Sequence, residues 1–320
     1  MSGGTRPEPS EETVAAVVIT FQRRDMLRRT LEGLRAQERP VDEIVVIDNA
    51  TTDGTAAMLA EEFPQVTHLR MEDNIGPAGA LQVGFAHAHA RGHRWAWTHS
   101  DDILARPDAL KTLLATAEQL GDARLGLLCC WFEPVSTHYF HNGALWKHRV
   151  VQQQWPPVGS PPYPTDVMTF KGALISLAMV PEIGLPVGDY FLMMEEYEYC
   201  LRAKRAGFRH YALPVPLLVP LEDEPPGRYP PWRGYYQVRN HLAMVLDRRS
   251  PGELLWFAIV QGKYLAGAVK GGERVGERVR LRLLGAWHAL RGVTGKTIDP
   301  AWWSPGGPRN PAPATERARP

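Results

Sequence analysis

The chain lacks the charge imbalance that marks several protein classes. Its 36 Lys and Arg residues nearly balance 35 Asp and Glu residues, which leaves a formal net charge of +1. Nucleic-acid binding depends on clustered positive charge that neutralises phosphates, so this balance argues against a nucleic-acid partner. At 320 residues and 44% hydrophobic content, the chain can bury one large core or two modest ones. The composition indicates a globular protein of enzyme size.

Cysteine is also scarce. Cys129, Cys130 and Cys200 lack the spacing of metal ligands, and their odd number argues against a secreted disulfide framework. We expect buried thiols in a reducing cytoplasm.

No segment has the pattern of a secretory signal or a membrane span. Residues 1–12 are polar and acidic where a signal needs a basic residue and an apolar run, so we expect a disordered lead-in. Residues 254–269 are interrupted by Gln261 and Lys263 and fall short of the roughly 20 apolar residues that span a bilayer. Residues 304–320 have too little apolar surface to offset the entropy of ordering and are expected to be a tail.

The first half of the chain alternates strand and helix patterns. Residues 14–20 form a continuous apolar run typical of a strand buried on both faces, and residues 24–37 have helical spacing. Further strands are predicted at 43–48, 66–69, 95–98 and 125–131, and further helices after Gly54, at 77–90 and at 110–120. Repeated βα units predict an α/β fold with a doubly wound, mostly parallel sheet flanked by helices.

The second half is less regular. Residues 134–164 lose periodicity and gain aromatic, Pro and Gly residues, which predicts an irregular region. A strand is predicted at 167–179, an acidic helix from Met194 and another strand at 212–219. We divide the chain into a larger domain at 13–245, with halves at 13–131 and 132–245, and a helical extension at 246–303.

The helical extension admits two interpretations. Trp, Leu and Arg recur there at helical spacing, and a basic helix of this kind can lie in a membrane interface. The same residues also suit a helical hairpin packed on the larger domain. The hairpin is slightly favoured because no clean apolar face is visible in the sequence, and peripheral membrane association stays open.

Polar residues directly after the strands indicate where a ligand binds, because parallel sheets bind ligands at the C-terminal ends of their strands. Asp48 follows the second strand, where it could contact a base or ribose or simply form a turn. Residues 74–79, Asn-Ile-Gly-Pro-Ala-Gly, open a helix whose N–H groups could approach a diphosphate. They match neither a Walker loop nor the dinucleotide fingerprint, and a tight turn is the alternative.

Two acidic clusters are candidates for chemistry. Asp101 and Asp102 supply the oxygens that a hard divalent cation prefers, although paired Asp residues also cap helices. Glu195 and Glu196 begin the acidic helix, where the helix dipole favours negative charge. A carboxylate is also the general base that an inverting sugar transfer requires.

The order of these signals resembles the family 2 glycosyltransferases of GT-A fold. The similar segments are VVITFQRRDMLRRTLEGLRAQ, EIVVIDNATTDGT, NIGPAGALQVGF, WAWTHSDDI, FKGALISLAMVPEIGLP, YFLMMEEYEYCLRAKRAGF and YYQVRNHL. They cover about three quarters of the chain. The NxGxAG segment and the acidic helix followed by YYxxRN look most similar to bacterial rhamnosyltransferases and galactofuranosyltransferases.

The resemblance implies that 13–245 is the catalytic domain, with a nucleotide-sugar-binding half at 13–131 and an acceptor half at 132–245 that includes the irregular residues 134–164. It also implies roles for individual residues. In the nucleotide pocket it places Thr20, Gln22 and Arg24, with Asp48 on the base. Asn74 and Gly79 would lie by the diphosphate sugar, and Asp102 would hold Mn²⁺ or Mg²⁺ with Asp101 beside it on the ribose or sugar. Glu196 occupies the position of the base, with Glu195 as the fallback. Arg239 and Asn240 would assist the donor phosphates or the packing of that pocket.

Two departures from the family pattern concern the metal site. Ser100 stands where an Asp often begins the acidic triplet, and Pro220 lies where a His commonly completes the site. Glu222, Asp223 or His210 could substitute.

The resemblance implies an inverting enzyme that transfers a sugar from dTDP-rhamnose, UDP-galactofuranose or a UDP-hexose to a hydroxyl acceptor. The acceptor could be a glycan, a lipid-linked intermediate or a secondary metabolite. The alternative is a non-catalytic nucleotide-sugar-binding homologue that acts as a partner subunit.

Overall fold

A computed structural model describes residues 12–133, 142–146, 149–152, 156–222, 230–271 and 274–299. The strands are β1 Val14–Thr20, β2 Glu43–Asp48, β3 Thr67–Arg70, β4 Trp95–Ser100, β5 Ile103–Ala105, β6 Leu125–Phe132, β7 Asn142–Trp146, β8 Arg149–Gln152, β9 Tyr163–Thr165, β10 Val167–Met168, β11 Leu174–Ser176 and β12 Arg209–Pro220. The α-helices are α1 Arg24–Arg35, α2 Thr55–Glu62, α3 Gly76–Ala90, α4 Ala109–Leu120, α5 Val180–Ile183, α6 Glu195–Arg205, α7 Pro231–Arg248, α8 Pro251–Lys270 and α9 Val275–Leu290. Short 3₁₀ turns span Leu177–Met179 and Gly188–Tyr190.

The main sheet has the order β3-β2-β1-β4-β11-β6-β12-β5, and β9 pairs with β12. Strands β3, β2, β1 and β4 are parallel neighbours, whereas β11 is antiparallel to both β4 and β6. Strand β12 runs parallel to β6, and β5 is antiparallel to β12. The predicted α/β fold with a mostly parallel sheet is confirmed.

Strand β1 shows why the sheet is covered on both faces. Val14, Ala16 and Val18 belong to a core cluster that includes residues of α1 and α4, whereas Ala15 and Val17 belong to a second cluster with residues of α3 and α6. Burying each such Val side chain contributes about 1.5–3 kcal/mol. The strand therefore needs apolar residues from Val14 to Ile19, which explains its unbroken run up to Thr20.

The single strand predicted at 167–179 is wrong. The structure breaks it into β10, which pairs with β7 in a small second sheet with β8, and β11, which joins the main sheet. Gly172 between them has a φ of +70°, and a Cβ there would lie 2.3 Å from a methyl carbon of Leu218. The chain turns at this glycine because a larger residue would clash.

The C-terminal helices pack on one another next to α6. Residues of α7 and α9, together with Ile298, form one small core cluster, and a second joins α7, α8 and α9. The boundary predicted between 245 and 246 falls inside α7, which runs without a break from Pro231 to Arg248. Within the described ranges, no helix has the length and apolar character needed to cross a bilayer.

Candidate functional site

The ends of β1 and β4 meet through Asp101. Its Oδ2 atom accepts a hydrogen bond of 2.8 Å from the Thr20 hydroxyl and one of 3.2 Å from the backbone N–H of Phe21. Burial raises the pKa of the Asp101 carboxyl to about 6, although Thr20 and Arg23 act in the opposite direction. The structure thus brings together Thr20 and Asp101, two residues that the sequence predicted for one site.

Asp102 lies beside Asp101 and is held by different partners. Its Oδ1 atom accepts from the Ser100 hydroxyl, and its Oδ2 atom lies 2.9 Å from Nη1 of Arg23. Burial opposes the charged form, but the charges of Lys171 and Arg23 and the Ser100 bond outweigh it and lower the pKa of Asp102. Ser100 therefore orients the carboxylate rather than adding a third one.

The end of β12 reaches the same place. The N–H of Leu221 donates to the Asp102 carbonyl at 2.8 Å, and a carboxylate oxygen of Glu222 lies 3.8 Å from Nη2 of Arg23. His210 is a correction to our prediction: it lies near the opposite end of β12, which begins at Arg209, where it is buried and its Nε2 atom lies 2.9 Å from the Cys200 carbonyl oxygen. Asp223 lies outside the described residues.

The oxygens of Asp101, Asp102 and Glu222 are the kind that Mg²⁺ or Mn²⁺ prefers. The Arg23 guanidinium lies among them, 3.6 Å from Asp101 and 2.9 Å from Asp102. In the part of the chain that the structure describes, no group of three His, Cys, Asp or Glu side chains is arranged to hold an ion. The ligand chemistry fits a hard cation, provided that Arg23 moves.

Asp48, predicted to contact the base, uses both oxygens within the protein. Oδ1 accepts from the N–H of Thr51 at 2.7 Å, while Oδ2 lies 3.1 Å from Nε2 of His68 and 3.2 Å from Nη1 of Arg70. The side chain has no exposed surface. Contact with a base would require one of these bonds to be exchanged, so the role stays a prediction.

Gln22 and Arg24 lie at the start of α1, next to the turn that follows β2. The Gln22 amide donates to the Thr52 hydroxyl at 3.0 Å. The backbone N–H of Arg24 donates to Asp53 at 2.8 Å, and Asp53 also accepts from the N–H of Thr55. One carboxylate thus caps the first turns of both α1 and α2, which joins the two loops.

The Asn-Ile-Gly-Pro-Ala-Gly segment forms the predicted turn into α3. The Asn74 side chain accepts from the N–H of Gly76 at 2.9 Å. Gly76 has a φ of +71°, and a Cβ on it would lie 2.1 Å from the Phe191 carbonyl oxygen. A Cβ added to Gly188, in the loop before α6, would lie 3.3 Å from the Gly79 Cα, so the two glycines are close neighbours. The small residues let the loop before α6 approach α3, and contact of Asn74 and Gly79 with a donor stays a prediction.

Glu196 in the first turn of α6 has one oxygen held in place. Its Oε1 atom accepts a hydrogen bond of 2.7 Å from the N–H of Phe170. Burial raises the pKa of Glu196, against the opposing effects of this bond and of the Lys171 charge. Lys171 also acts on Asp102, so it carries positive charge between the strand edge and α6.

Glu195 is more enclosed than Glu196. Its side chain is 7% exposed, and its Oε2 atom has no hydrogen-bond partner among the described residues. Burial and the neighbouring Glu196 charge raise the pKa of Glu195, although Arg233 lowers it. Glu196 has the anchored oxygen and the larger access to solvent, which distinguishes it from the fallback Glu195.

Arg239, predicted to assist the donor phosphates or to pack the pocket, is buried in α7. All five guanidinium N–H groups have acceptors: the Asn240 side chain, the Gly295, Asp189 and Tyr190 carbonyls, and the Thr297 hydroxyl. No N–H remains for a phosphate, since five is the full number that a guanidinium carries. Contact with a phosphate would require one of these bonds to be exchanged, so the donor-phosphate role stays a prediction, and the bonds present fit the packing role.

Asn240 holds the loop that leads into the acidic helix. Its amide donates to the carbonyls of Tyr190, Leu192 and Met193 at 2.8–3.0 Å. Phe191, Met193 and Met194 in this loop have φ values of +62°, +72° and +75°. Non-glycine residues rarely adopt such angles, and surrounding bonds must stabilise them.

A cavity of about 920 Å³ lies between the start of α6 and helices α7, α8 and α9. Glu195 and Glu196 line it together with Trp256, Val260 and Tyr264 of α8. Basic side chains complete the wall: Arg233, Arg248, Lys263, Arg278 and Arg282. The candidate base therefore faces a space with apolar and positively charged walls.

Sequence reasoning missed Arg23 and Lys171. Each directly neighbours a predicted feature, since Arg23 lies between Gln22 and Arg24, and Lys171 follows Phe170 in the segment FKGAL. Basic residues that flank a nucleotide-sugar motif are a signal for them, but only the fold places them beside Asp102.

The sheet order and its two helical layers define the GT-A fold. A mannosyltransferase from Pyrobaculum calidifontis, solved in complex with GDP-Man and Mn²⁺, has this fold, with a TM-score of 0.53, 19% identity and coverage of 87% of this chain and 80% of that one. The model of Glycosyl transferase family 2 matches residues 15–168. The match covers just under half of the chain and identifies residues 15–168 as a domain similar to this family.

Two relatives match the expected subgroups. Galactofuranosyltransferase GlfT1 of Mycobacterium tuberculosis is 33% identical over 202 residues, which is 61% of this chain and 66% of that protein. The dTDP-rhamnosyl transferase RfbF of Shigella flexneri is 21% identical over 300 residues, 88% of this chain and 97% of that protein. The resemblance to galactofuranosyl- and rhamnosyltransferases is confirmed, while a third of GlfT1 lies outside the match.

Proposed function

We propose that the chain is an inverting glycosyltransferase that moves a sugar from a nucleoside-diphosphate donor to a hydroxyl acceptor. The observation that carries the proposal is Glu196, whose one oxygen is held by the Phe170 N–H while its side chain lines the cavity. Lys171, adjacent to Phe170, links this carboxylate electrostatically to Asp102.

The donor binds at the edge formed by Thr20, Asp48, Asn74 and Asp101. There Arg23 and Lys171 supply positive charge to the diphosphate, which gains negative charge as it leaves. Asp101 and Asp102 would hold Mn²⁺ or Mg²⁺, and the ion would add to this stabilisation. Glu222, whose carboxylate lies 3.8 Å from Nη2 of the same Arg23, would supply a third oxygen ligand once Arg23 moves.

Glu196 acts as the general base. Burial raises its pKa, and a more basic carboxylate takes a proton from a hydroxyl more readily. The Phe170 bond orients one oxygen and leaves the other for the acceptor. The hydroxyl then attacks the anomeric carbon from the side opposite the diphosphate, which inverts that centre.

The names of the relatives suggest UDP-galactofuranose and dTDP-rhamnose as donors, with UDP-hexoses as the third class. All three cysteines are buried free thiols, which suits a reducing cytoplasm. The acceptor enters the cavity beside Glu196, and its basic walls favour an acceptor that carries phosphate.

A panel of sugar nucleotides tests the donor assignment. A true donor at about 100 times its dissociation constant stabilises the folded protein by about 2.7 kcal/mol, which thermal unfolding detects. Product analysis by NMR then reads the anomeric configuration. A retained configuration contradicts the inverting mechanism.

A partner subunit that only binds nucleotide sugars is the second candidate. The position of Arg23 among the carboxylates supports it, because the guanidinium occupies the place of a cation. Calorimetry with donor, with and without Mn²⁺, followed by hydrolysis and transfer assays separates the two. Donor binding with no turnover on any acceptor would favour the subunit.

A further inference from the structure

Helix α8 is apolar but almost unburied. Of its 20 residues, only Phe257 and Ala268 are buried, although Leu, Ile, Val and Ala dominate the sequence PGELLWFAIVQGKYLAGAVK. A helix that is apolar on most of its surface is usually enclosed by protein or lipid. Of the eleven exposed large hydrophobic residues among those described, nine lie between 246 and 290. The exposed apolar surface is therefore concentrated in one region.

The exposed residues of α8 form a stripe. Leu255, Ile259, Gly262, Ala266 and Val269 follow at intervals of four, three, four and three, which places them on one side of the helix, opposite the buried Phe257 and Ala268. All five are exposed, and none is charged. Lys263 and Lys270 flank the stripe.

Helix α9 has an outward stripe of a different composition. Arg280, Leu283, Trp287 and Leu290 are exposed at intervals of three and four residues. The guanidinium of Arg291 lies 5.5 Å from the Trp287 ring. Arg and Trp with aliphatic neighbours are typical of helices that lie in the headgroup region of a bilayer.

The charge of this region differs from that of the whole chain. Residues 251–291 contain seven Lys and Arg and three Glu, whereas the full chain has a formal net charge of +1. An anionic surface is attracted by this excess, whereas a second copy of the chain would bring two positive surfaces together. Charge thus favours an anionic bilayer over self-association.

We infer that the exposed surface of α8 and α9 docks onto an anionic membrane surface. The helices lie in the headgroup region, with the α8 stripe in contact with acyl chains and the basic side chains next to lipid phosphates. This position also identifies the acceptor class, a step that rests on the proposed function. Because α8 and α9 line the cavity beside Glu196, the acceptor is presented at the membrane as a lipid-linked phosphate.

Vesicle flotation with the full chain tests the docking without donor or acceptor. Vesicles of phosphatidylglycerol and phosphatidylcholine should bind the protein at least about tenfold more strongly than phosphatidylcholine alone, and high salt should weaken the binding. Equal binding to both, or no binding, overturns the inference. Since no sugar transfer is measured, either result leaves the glycosyltransferase assignment standing.

Two double variants separate the apolar and charged contributions. Leu255→Gln with Ile259→Gln should reduce vesicle binding about tenfold or more, while Val158→Gln, at an exposed apolar residue elsewhere, should leave it unchanged. Lys270→Gln with Arg280→Gln should remove most of the preference for anionic lipid, in contrast to Arg29→Gln with Arg91→Gln. Circular dichroism and melting confirm that each variant is folded.

Light scattering tests whether a second copy of the chain, instead of a membrane, covers the exposed surface of α8 and α9. A monomer whose stripe variant loses only vesicle binding supports docking. If the wild-type chain is a dimer that ignores vesicles, and the Leu255→Gln and Ile259→Gln variant is a monomer, the surface is a contact between copies and the inference is overturned.

Discussion

The edge of the sheet and the cavity under the C-terminal helices hold their polar groups in different ways. At the edge, Asp102 is bound by side chains that can change partners, and Arg23 itself is 40% exposed. At the cavity, Glu196 is bound by a backbone N–H, and the loop before it is held by the buried Arg239 and Asn240. The edge can rearrange around a ligand, whereas the proposed base is fixed before any ligand arrives.

This difference matches the two tasks. A donor that brings a diphosphate, with or without a cation, needs carboxylates and guanidinium groups that exchange partners. A general base must already stand at the correct distance from the reacting hydroxyl, because misplacement by about 1 Å can cost a hundredfold in rate.

The largest loss of activity is expected at the cavity, where Glu196 is held by a backbone N–H. Glu196→Gln removes the proton acceptor and keeps the Phe170 bond, so the transfer rate should fall about 10²–10⁴-fold. Donor-induced thermal stabilisation should persist. Glu195→Gln is the matched control and should cost less than about tenfold. A wild-type rate in the Glu196 variant, or a larger loss in the Glu195 variant, would reassign the base.

The next-largest effect is expected at Asn240, whose amide holds the loop before α6. Asn240→Asp keeps the shape of the side chain but cannot donate to the Tyr190, Leu192 and Met193 carbonyls, so the free energy of unfolding should fall by about 3 kcal/mol or more. In the surviving folded protein, kcat should fall while the donor KM changes little. Asp247→Ala on the exposed side of α7 should change stability by less than about 0.5 kcal/mol. Equal losses of stability in both variants would show that the Asn240 hydrogen bonds do not hold this loop.

Asp101 tests how much stability the protein loses by burying an ionised carboxylate at the edge of the sheet. Its pKa of about 6 exceeds the ordinary value, so the folded state binds this proton more tightly than the unfolded chain, and stability falls as pH rises from about 4 through 6. Asp101→Asn should therefore stabilise the protein at pH 7.5 by about 1–3 kcal/mol. The gain should shrink towards pH 4, as denaturant unfolding at several pH values would show. A gain that is independent of pH would exclude the buried charge as its cause.

The smallest effect concerns the exchange of cations at the edge. Arg23→Gln frees Asp101 and Asp102 from a competing guanidinium, so calorimetry without donor should show about tenfold tighter Mn²⁺ binding, or about 1.4 kcal/mol. Arg29→Gln, which removes an exposed charge elsewhere on α1, should leave the affinity unchanged. An unaltered affinity in the Arg23 variant would show that the edge does not exchange one cation for the other.

The parts of the site nearest to a strand end could be predicted from the sequence. Thr20, Asp48, Asp101 and Asp102 each follow or end a strand of the predicted sheet, and parallel strands bring such positions together. The roles of Arg239 and Lys171 could not be predicted in this way. Their partners lie about 50 to 70 residues away along the chain, at Tyr190 and Asp102 respectively, and no local pattern encodes such a distance.

The apolar run at β1, the alternation of strands and helices and the order of the acidic motifs were determined by the sequence alone, because burial on two faces and the periods of the backbone act locally. The tertiary structure decided which charges meet. It placed Arg23 among the carboxylates, put His210 near the other end of β12, gave every N–H of Arg239 an acceptor within the protein and left the apolar stripe of α8 exposed. These outcomes depend on packing between distant segments, where the burial of one group sets the partners that remain for the next.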